Sequence, residues 1–201
     1  MPNIPPGRAV IASSSRPSNI IILRDLGHPD DVSDFILAIT HAERMGYADV
    51  VIDATQISRV FPNASVPIAA IIRHFRENGM TVTVSSRPGF VERVHFADPL
   101  PALRDRLEAE VDPVSRLWEF HDERMVNDLV TALTHSVMEK IECSTGVIQS
   151  FEWSLNEVMD NVLQHSEAPS GYAMVQVHAA AKRLAVCVAD LGLGIFGTLV
   201  Q

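Results

Sequence analysis

Apolar and polar positions along this chain follow a strand–helix alternation in the first half and a helix-then-strand order in the second. Ile20-Ile21-Ile22-Leu23 is a short apolar run of strand type. Over residues 30–44, Val32, Phe35, Ile36 and Ile39 recur at helical spacing, with Asp30 and Asp31 suited to a first turn and Gly46 to a stop. Asp49-Val50-Val51-Ile52-Asp53 reads as a second strand. A second helix follows over 66–75, with Ile68, Ile71, Ile72 and Phe75 as its apolar face. Asn78-Gly79 ends it, and Met80-Thr81-Val82-Thr83-Val84-Ser85 is a third strand. Strands separated by helices of this length imply parallel pairing, so an α/β domain is expected over residues 16–98.

The second half opens with Val126, Leu129, Val130, Leu133, Val137 and Ile141 on one face of a long helix over 123–141. A turn at Cys143-Ser144-Thr145-Gly146 leads to another helix over 147–165, in which Leu155, Val158, Met159 and Val162 are expected to be buried. Ala168-Pro169-Ser170-Gly171 breaks the chain, and residues 172–179 and 183–189 read as strands of a hairpin turning at Ala180-Ala181-Lys182. Two strands make a thin sheet with open edges. This half is therefore expected to be an incomplete α/β layer, finished by more chain, by a partner or by the first half. The expected organisation is a flexible stretch over 1–15, a domain over 16–98, a proline-containing linker over 99–119 and a second domain over 120–201.

Composition narrows the function classes. The formal charge is −9 with no Lys/Arg cluster, which disfavours a nucleic-acid partner. No apolar run is long enough for a membrane span, and Met1-Pro2-Asn3-Ile4-Pro5-Pro6-Gly7-Arg8 lacks the apolar core of a secretion signal. A cytoplasmic location is expected. Cys143 and Cys187 are the only cysteines and form no Cys-x-x-Cys, so they read as thiols rather than a metal framework. The scattered histidines, among them His28, His95 and His74, show no ligand spacing.

Candidate chemistry is concentrated near the end of the chain. Glu157, Asn161 and His165 are spaced four apart and share one stripe of a helix. An amide oxygen at Asn161 is a hard ligand suited to Mg²⁺, and a carboxylate one turn away can orient or deprotonate a hydroxyl. His165 can hydrogen-bond a phosphate, or serve the end of its helix through the dipole. Asp190-Leu191-Gly192-Leu193-Gly194 places an acid at a strand end, able to accept from an exocyclic amine, beside Gly192 and Gly194, which permit close backbone approach. Each stretch also has a bland reading, as a solvated helix edge and as a turn cap.

Taken together, the two stretches resemble the nucleotide-binding domain of the GHKL (HATPase_c) ATPases, which include histidine kinases, Hsp90 chaperones, type II topoisomerases and MutL. Leu155-Asn156-Glu157-Val158-Met159-Asp160-Asn161-Val162-Leu163-Gln164-His165-Ser166 resembles that family's N box. Asp190-Leu191-Gly192-Leu193-Gly194-Ile195 resembles its first glycine box. The match covers about residues 120–195 and is most like the anti-sigma factor serine kinases. The resemblance implies ATP and Mg²⁺ as cofactors, Asn161 as the Mg²⁺ ligand, Glu157 as the catalytic base or its orienter and Asp190 as the adenine reader. His165, Gly192 and Gly194 complete the implied cofactor site. The later glycine box, the lid over the nucleotide and the closing elements of that family do not occur within these residues.

The first half resembles a STAS domain, the fold of anti-sigma factor antagonists. Asp49-Val50-Val51-Ile52-Asp53 followed by Phe61-Pro62-Asn63-Ala64-Ser65-Val66 is similar to the strand, turn and helix start that carry a phosphorylatable serine there. Ser65 is the candidate phosphosite, and its alternative reading is a cap for the helix from Val66, with Pro67 in the first turn. The resemblance implies partner-switching signal transduction: the full-length protein binds Mg-ATP and transfers phosphate to a Ser/Thr of a STAS or anti-sigma type partner, with homodimerisation allowed. The alternatives are a non-catalytic nucleotide-sensing interaction module and an ATPase without kinase activity.

Overall fold

The computed structural model describes residues 10–12, 19–24, 26–28, 30–87, 89, 91–110 and 112–192. The protein is an α/β protein with mixed parallel and antiparallel sheets, and it divides into two units between Arg93 and Val94.

In the first unit, β1 (Val10–Ala12), β2 (Ile20–Leu23), α1 (Asp30–Arg44), β3 (Asp49–Ala54), α2 (Pro62–Glu77) and β4 (Thr81–Ser86) follow one another. The sheet order is β1-β2-β3-β4. β1 runs antiparallel to β2, while β2, β3 and β4 are parallel, with Ile21 opposite Ile52 and Ile52 opposite Val84. Residues 10–12 are therefore a strand, where the sequence suggested a flexible stretch over 1–15; three residues are too few to show alternation. Leu23, Ile52, Phe35, Ile39, Ile68 and Ile72 are fully buried and form the core. Asp31 in the first turn of α1 is buried, and its carboxylate accepts from the backbone N–H of Gly27 (2.8 Å) and His28 (2.7 Å). That clasp fixes the loop between β2 and α1.

The helix expected over 66–75 begins a turn earlier. Pro62 occupies the first turn, where a missing N–H costs nothing, and Phe61 is the extended N-cap residue. Pro67 consequently lies inside α2 rather than in its first turn. Ala64, Ser65 and Val66 are buried, and this burial, more than capping chemistry, extends the helix backwards.

α3 (Val91–Val94) crosses the boundary between the units. The second unit then contains β5 (Leu100–Pro101), α4 (Arg104–Ala109), β6 (Trp118–Phe120), α5 (Glu123–Lys140), α6 (Thr145–His165), β7 (Gly171–His178) and β8 (Arg183–Asp190). Its sheet order is β5-β6-β7-β8, the first pair parallel and the other two antiparallel. Residues 99–119, expected as a linker, are part of this unit: Leu100, Ala102, Leu107, Val114 and Trp118 are buried in its core. The Trp118 indole Nε1 donates to the Pro113 carbonyl at 2.9 Å. Asp112 accepts from the Ser136 hydroxyl (2.9 Å) and pairs with Lys140 (2.9 Å), pinning the segment to α5. The sheet accordingly has four strands instead of two. β5 and β6 are too short, and too close to Pro99, Pro101 and Pro113, to stand out as strands from pattern alone.

α5 starts at an Asp122 cap whose carboxylate accepts from the Met125 N–H at 2.7 Å. α5 and α6 pack against one another and over the sheet, around Phe120, Leu129, Leu133, Met159, Ala173 and Val175. β7 and β8 form the expected hairpin, turning through Ala179–Ala181 with Lys182 left-handed at φ 48°. Among the described residues no helix is long and apolar enough to cross a membrane.

Candidate functional site

His165 ends α6 and Asp190 ends β8 at one end of the second unit, while Asn161 and Glu157 lie about one and two turns back along α6. α6 buries Ile148, Leu155, Met159 and Val162. Glu157 stands two positions from both Leu155 and Met159, about 200° around the helix from each, so it faces away from the core. Asn161 is also exposed, and among the described residues neither side chain makes a hydrogen bond or ion pair. Val158, expected to be buried, is 49% exposed. Met159 and Leu155 set the inward direction, and Val158 sits about 80° away from it, at the edge of the buried seam. Beside Glu157, the Asn156 side-chain oxygen is buried without a hydrogen-bond partner among the described residues, while its amide donates to the Glu152 carbonyl at 3.2 Å. Trp153, one turn before Glu157, is 67% exposed. His165 is the last residue of α6 and is exposed.

Asp190 is the last residue of β8, opposite Gly171. By strand alternation it shares the face of Leu184 and Val188, which pack against the core under α5 and α6. Its Oδ1 accepts from the Gly192 N–H at 2.8 Å, folding the chain back in a tight turn. That turn presses on the end of α6. A Cβ built on Gly192 would lie 1.8 Å from the Ser166 carbonyl oxygen, so no side chain fits there. Gly171 is equally constrained, because its Cβ would lie 2.3 Å from the Phe120 ring and 2.8 Å from a Val162 methyl. Ser166 itself is buried, and its hydroxyl accepts from the Ala168 N–H at 3.0 Å.

The glycine turn and the polar helix therefore meet. Gly192 abuts the residue after His165, and Asn161 lies five residues back, about 7.5 Å along the axis. Gly194 lies outside the described residues. Sequence reading overlooked Ser166 and Gly171, which make the junction close. The available signal was a small residue at each end of the short Ser166–Gly171 connection.

Ser65 belongs to the first unit. It lies inside α2 with 0% exposure, and its hydroxyl donates to the Phe61 carbonyl at 2.9 Å. It does not cap the helix, since Phe61 holds that position without a side-chain cap.

Among the described residues no group of three or more His, Cys, Asp or Glu side chains could hold a metal ion. A cation near Asn161 would depend on one amide and on ligands brought by phosphate and water. The second unit also contains a cleft of about 450 Å³ between α4 and α5, lined in part by Arg104, Glu108, Asp128, His135 and Glu139. Arg104 bonds Asp128 at 2.7 Å and holds its carboxyl below the usual range.

Comparison of the chain with protein-family models, with curated proteins and with solved structures finds no match.

Proposed function

We propose that this chain is a Mg-ATP-dependent signalling protein in which a STAS-like unit precedes a GHKL-like nucleotide-binding unit of the anti-sigma kinase type. In full-length form it would transfer phosphate to a Ser or Thr of a partner protein in the cytoplasm. The observation that carries the reading is the seating of the Asp190–Gly192 turn on Ser166, which brings the two recognisable sequence stretches to one place.

The residues at that place suit the chemistry. Asn161 offers an amide oxygen unengaged among the described residues, fit for a cation that keeps most of its ligands as water and phosphate. Mg²⁺ would supply charge neutralisation across phosphate oxygens. Glu157, exposed and without a partner among the described residues, can accept the proton of a partner's hydroxyl. The Gly192 N–H holds one oxygen of Asp190 and so orients the carboxylate, leaving the other to accept from an exocyclic amine. His165, at the end of α6, can donate to a phosphate oxygen. The buried hydroxyl of Ser65 makes it an acceptor of phosphate only when the first turn of α2 opens.

Isothermal titration with Mg-ATP tests the assignment. Wild type is expected to bind, and Asn161→Ala to bind at least tenfold more weakly with an unchanged circular-dichroism spectrum. Equal affinity of the two proteins would remove Asn161 from the site, and no binding by the full-length protein would remove the nucleotide.

A further inference from the structure

α6 is seated by four inward side chains, Ile148, Leu155, Met159 and Val162. Apolar contacts are non-directional, so a narrow seam of them sets the angle of the helix only loosely. Two polar atoms stand beside that seam. Thr134 Oγ1 on α5 and Asn156 Oδ1 on α6 are buried side-chain atoms without a hydrogen-bond partner among the described residues. Thr134 as a whole is 7% exposed.

Both atoms face the junction of the two helices. α5 packs against α4, α6 and β7, and it turns Asp128 toward Arg104 of α4 and Ser136 toward Asp112. Thr134 stands about 120° around the helix from Asp128 and about 160° from Ser136, on the side where α6 is the neighbour. α6 packs against α5, β7 and β8. Asn156 and Val158 lie about 80° to either side of its inward direction. The Val158 flank is open, at 49% exposure, whereas the Asn156 flank buries a side-chain oxygen. With the strands beneath Leu155 and Met159, the helix that covers this oxygen is α5.

Each group is set up for a partner off its own helix. A helical hydroxyl commonly donates to the carbonyl four residues back, as Thr131 does to Asn127 (2.8 Å), Ser150 to Gly146 (2.8 Å) and Ser65 to Phe61 (2.9 Å). Thr134 makes no such bond among the described residues. The Asn156 amide donates to the Glu152 carbonyl at 3.2 Å, so a reversed side chain would set oxygen against oxygen, and Oδ1 must turn to the junction. One group can donate and the other only accepts. Leaving both unpaired in the interior costs more than an ordinary hydrogen bond gains.

From this placement we propose that Thr134 and Asn156 are joined across the α5–α6 junction through one buried water molecule, and that this link fixes the rotation of α6. The Thr134 hydroxyl donates to the water, and the water donates to Asn156 Oδ1. The water thereby has the two polar partners that a buried site requires. Asn156 precedes Glu157 and lies five residues before Asn161, so the link acts on the stretch of α6 that carries both. Its bearing on them rests on the Mg-ATP reading above. Thr134 and Asn156 are positioning residues, acting on the site through the helix.

A double-mutant cycle in urea unfolding, followed by tryptophan fluorescence, tests the link. Thr134→Val and Asn156→Leu are each expected to lower the folding equilibrium constant at least about fivefold, and the double variant by less than the product of the two. Thr134→Ser, which keeps the hydroxyl, should stay within about twofold of wild type. Amide hydrogen exchange over residues 154–162 should be faster in Thr134→Val and restored in Thr134→Ser. A Thr134→Val chain as stable as wild type or more so, or single effects that multiply, would overturn the link. Unchanged exchange would overturn its hold on α6. If Thr134→Val or Asn156→Leu does not fold, a nuclear Overhauser cross-peak between water and the Thr134 methyl group of wild type decides: its presence supports the link and its absence overturns it. Isothermal titration keeps the two readings apart. Thr134→Val should bind Mg-ATP at least about threefold more weakly, with affinity restored in Thr134→Ser. A wild type that binds no Mg-ATP would remove the nucleotide and leave the link judged by the cycle and the exchange. Equal affinities of wild type and Thr134→Val would instead overturn the positioning role.

Discussion

α2 and α6 are both amphipathic helices laid against sheets, yet they use their surfaces differently. α2 buries Ala64, Ser65, Val66, Ile68, Ala69, Ala70, Ile71 and Ile72, so most of its first three turns are inside. α6 is longer, at 21 residues, but buries only Ile148, Leu155, Met159 and Val162. The first helix is given over to holding its unit together, and its hydroxyl at Ser65 is hidden as a result. The second rests on a narrow seam and leaves Trp153, Glu157, Val158 and Asn161 toward solvent. A helix with surface to spare can carry chemistry without loss of its packing, whereas a helix buried on most sides cannot.

The contrast can be broken most directly at the seam residues. Ile72→Ala is expected to destabilise the first unit by about 2–5 kcal/mol in urea unfolding followed by circular dichroism, whereas Val158→Ala on α6 should change stability by no more than about 0.5 kcal/mol. Comparable losses from both would mean that the outward side of α6 contributes to packing as the inward side of α2 does. Gly192→Ala forces a Cβ into the Ser166 carbonyl, and a cost of about 1–3 kcal/mol is expected for the second unit. Both tryptophans belong to that unit, so their fluorescence reports its unfolding; an unshifted midpoint would show that the turn does not sit on α6. Ser65→Ala should have a smaller effect than either core change, about 0.5–1 kcal/mol, because the Phe61 carbonyl keeps the Ala64 and Ser65 N–H groups as donors. A larger loss by the same urea measurement would give the hydroxyl a structural role beyond that one bond.

Long, regularly patterned elements were legible in the sequence. α1 occupies the expected residues 30–44, α5 ends within a residue of expectation, and β7 and β8 lie within a residue of theirs. Their periodicity is sustained over enough residues to separate helix from strand. The elements that escaped are short or are held by tertiary contacts. β1, β5 and β6 have two or three residues each, and the start of α2 depends on the burial of Ala64 and Ser65 rather than on a capping residue. At the candidate site, Glu157, Asn161 and Asp190 could be nominated from residue type and spacing. What spacing could not give was the rotation of α6 by which Val158 faces out. Nor could it show that Gly171 and Gly192 are required by contacts across the fold rather than by the turns in which they sit.

The two tryptophans give the second unit a built-in pair of optical reporters. Trp118 is sealed in the core at 0% exposure, with its indole bonded to a carbonyl, while Trp153 is 67% exposed one turn from Glu157. One emitter responds to the integrity of the interior and the other to what arrives at the surface. A quencher dissolved in the buffer reaches only the second, so folding and occupancy can be followed in the same cuvette without a label.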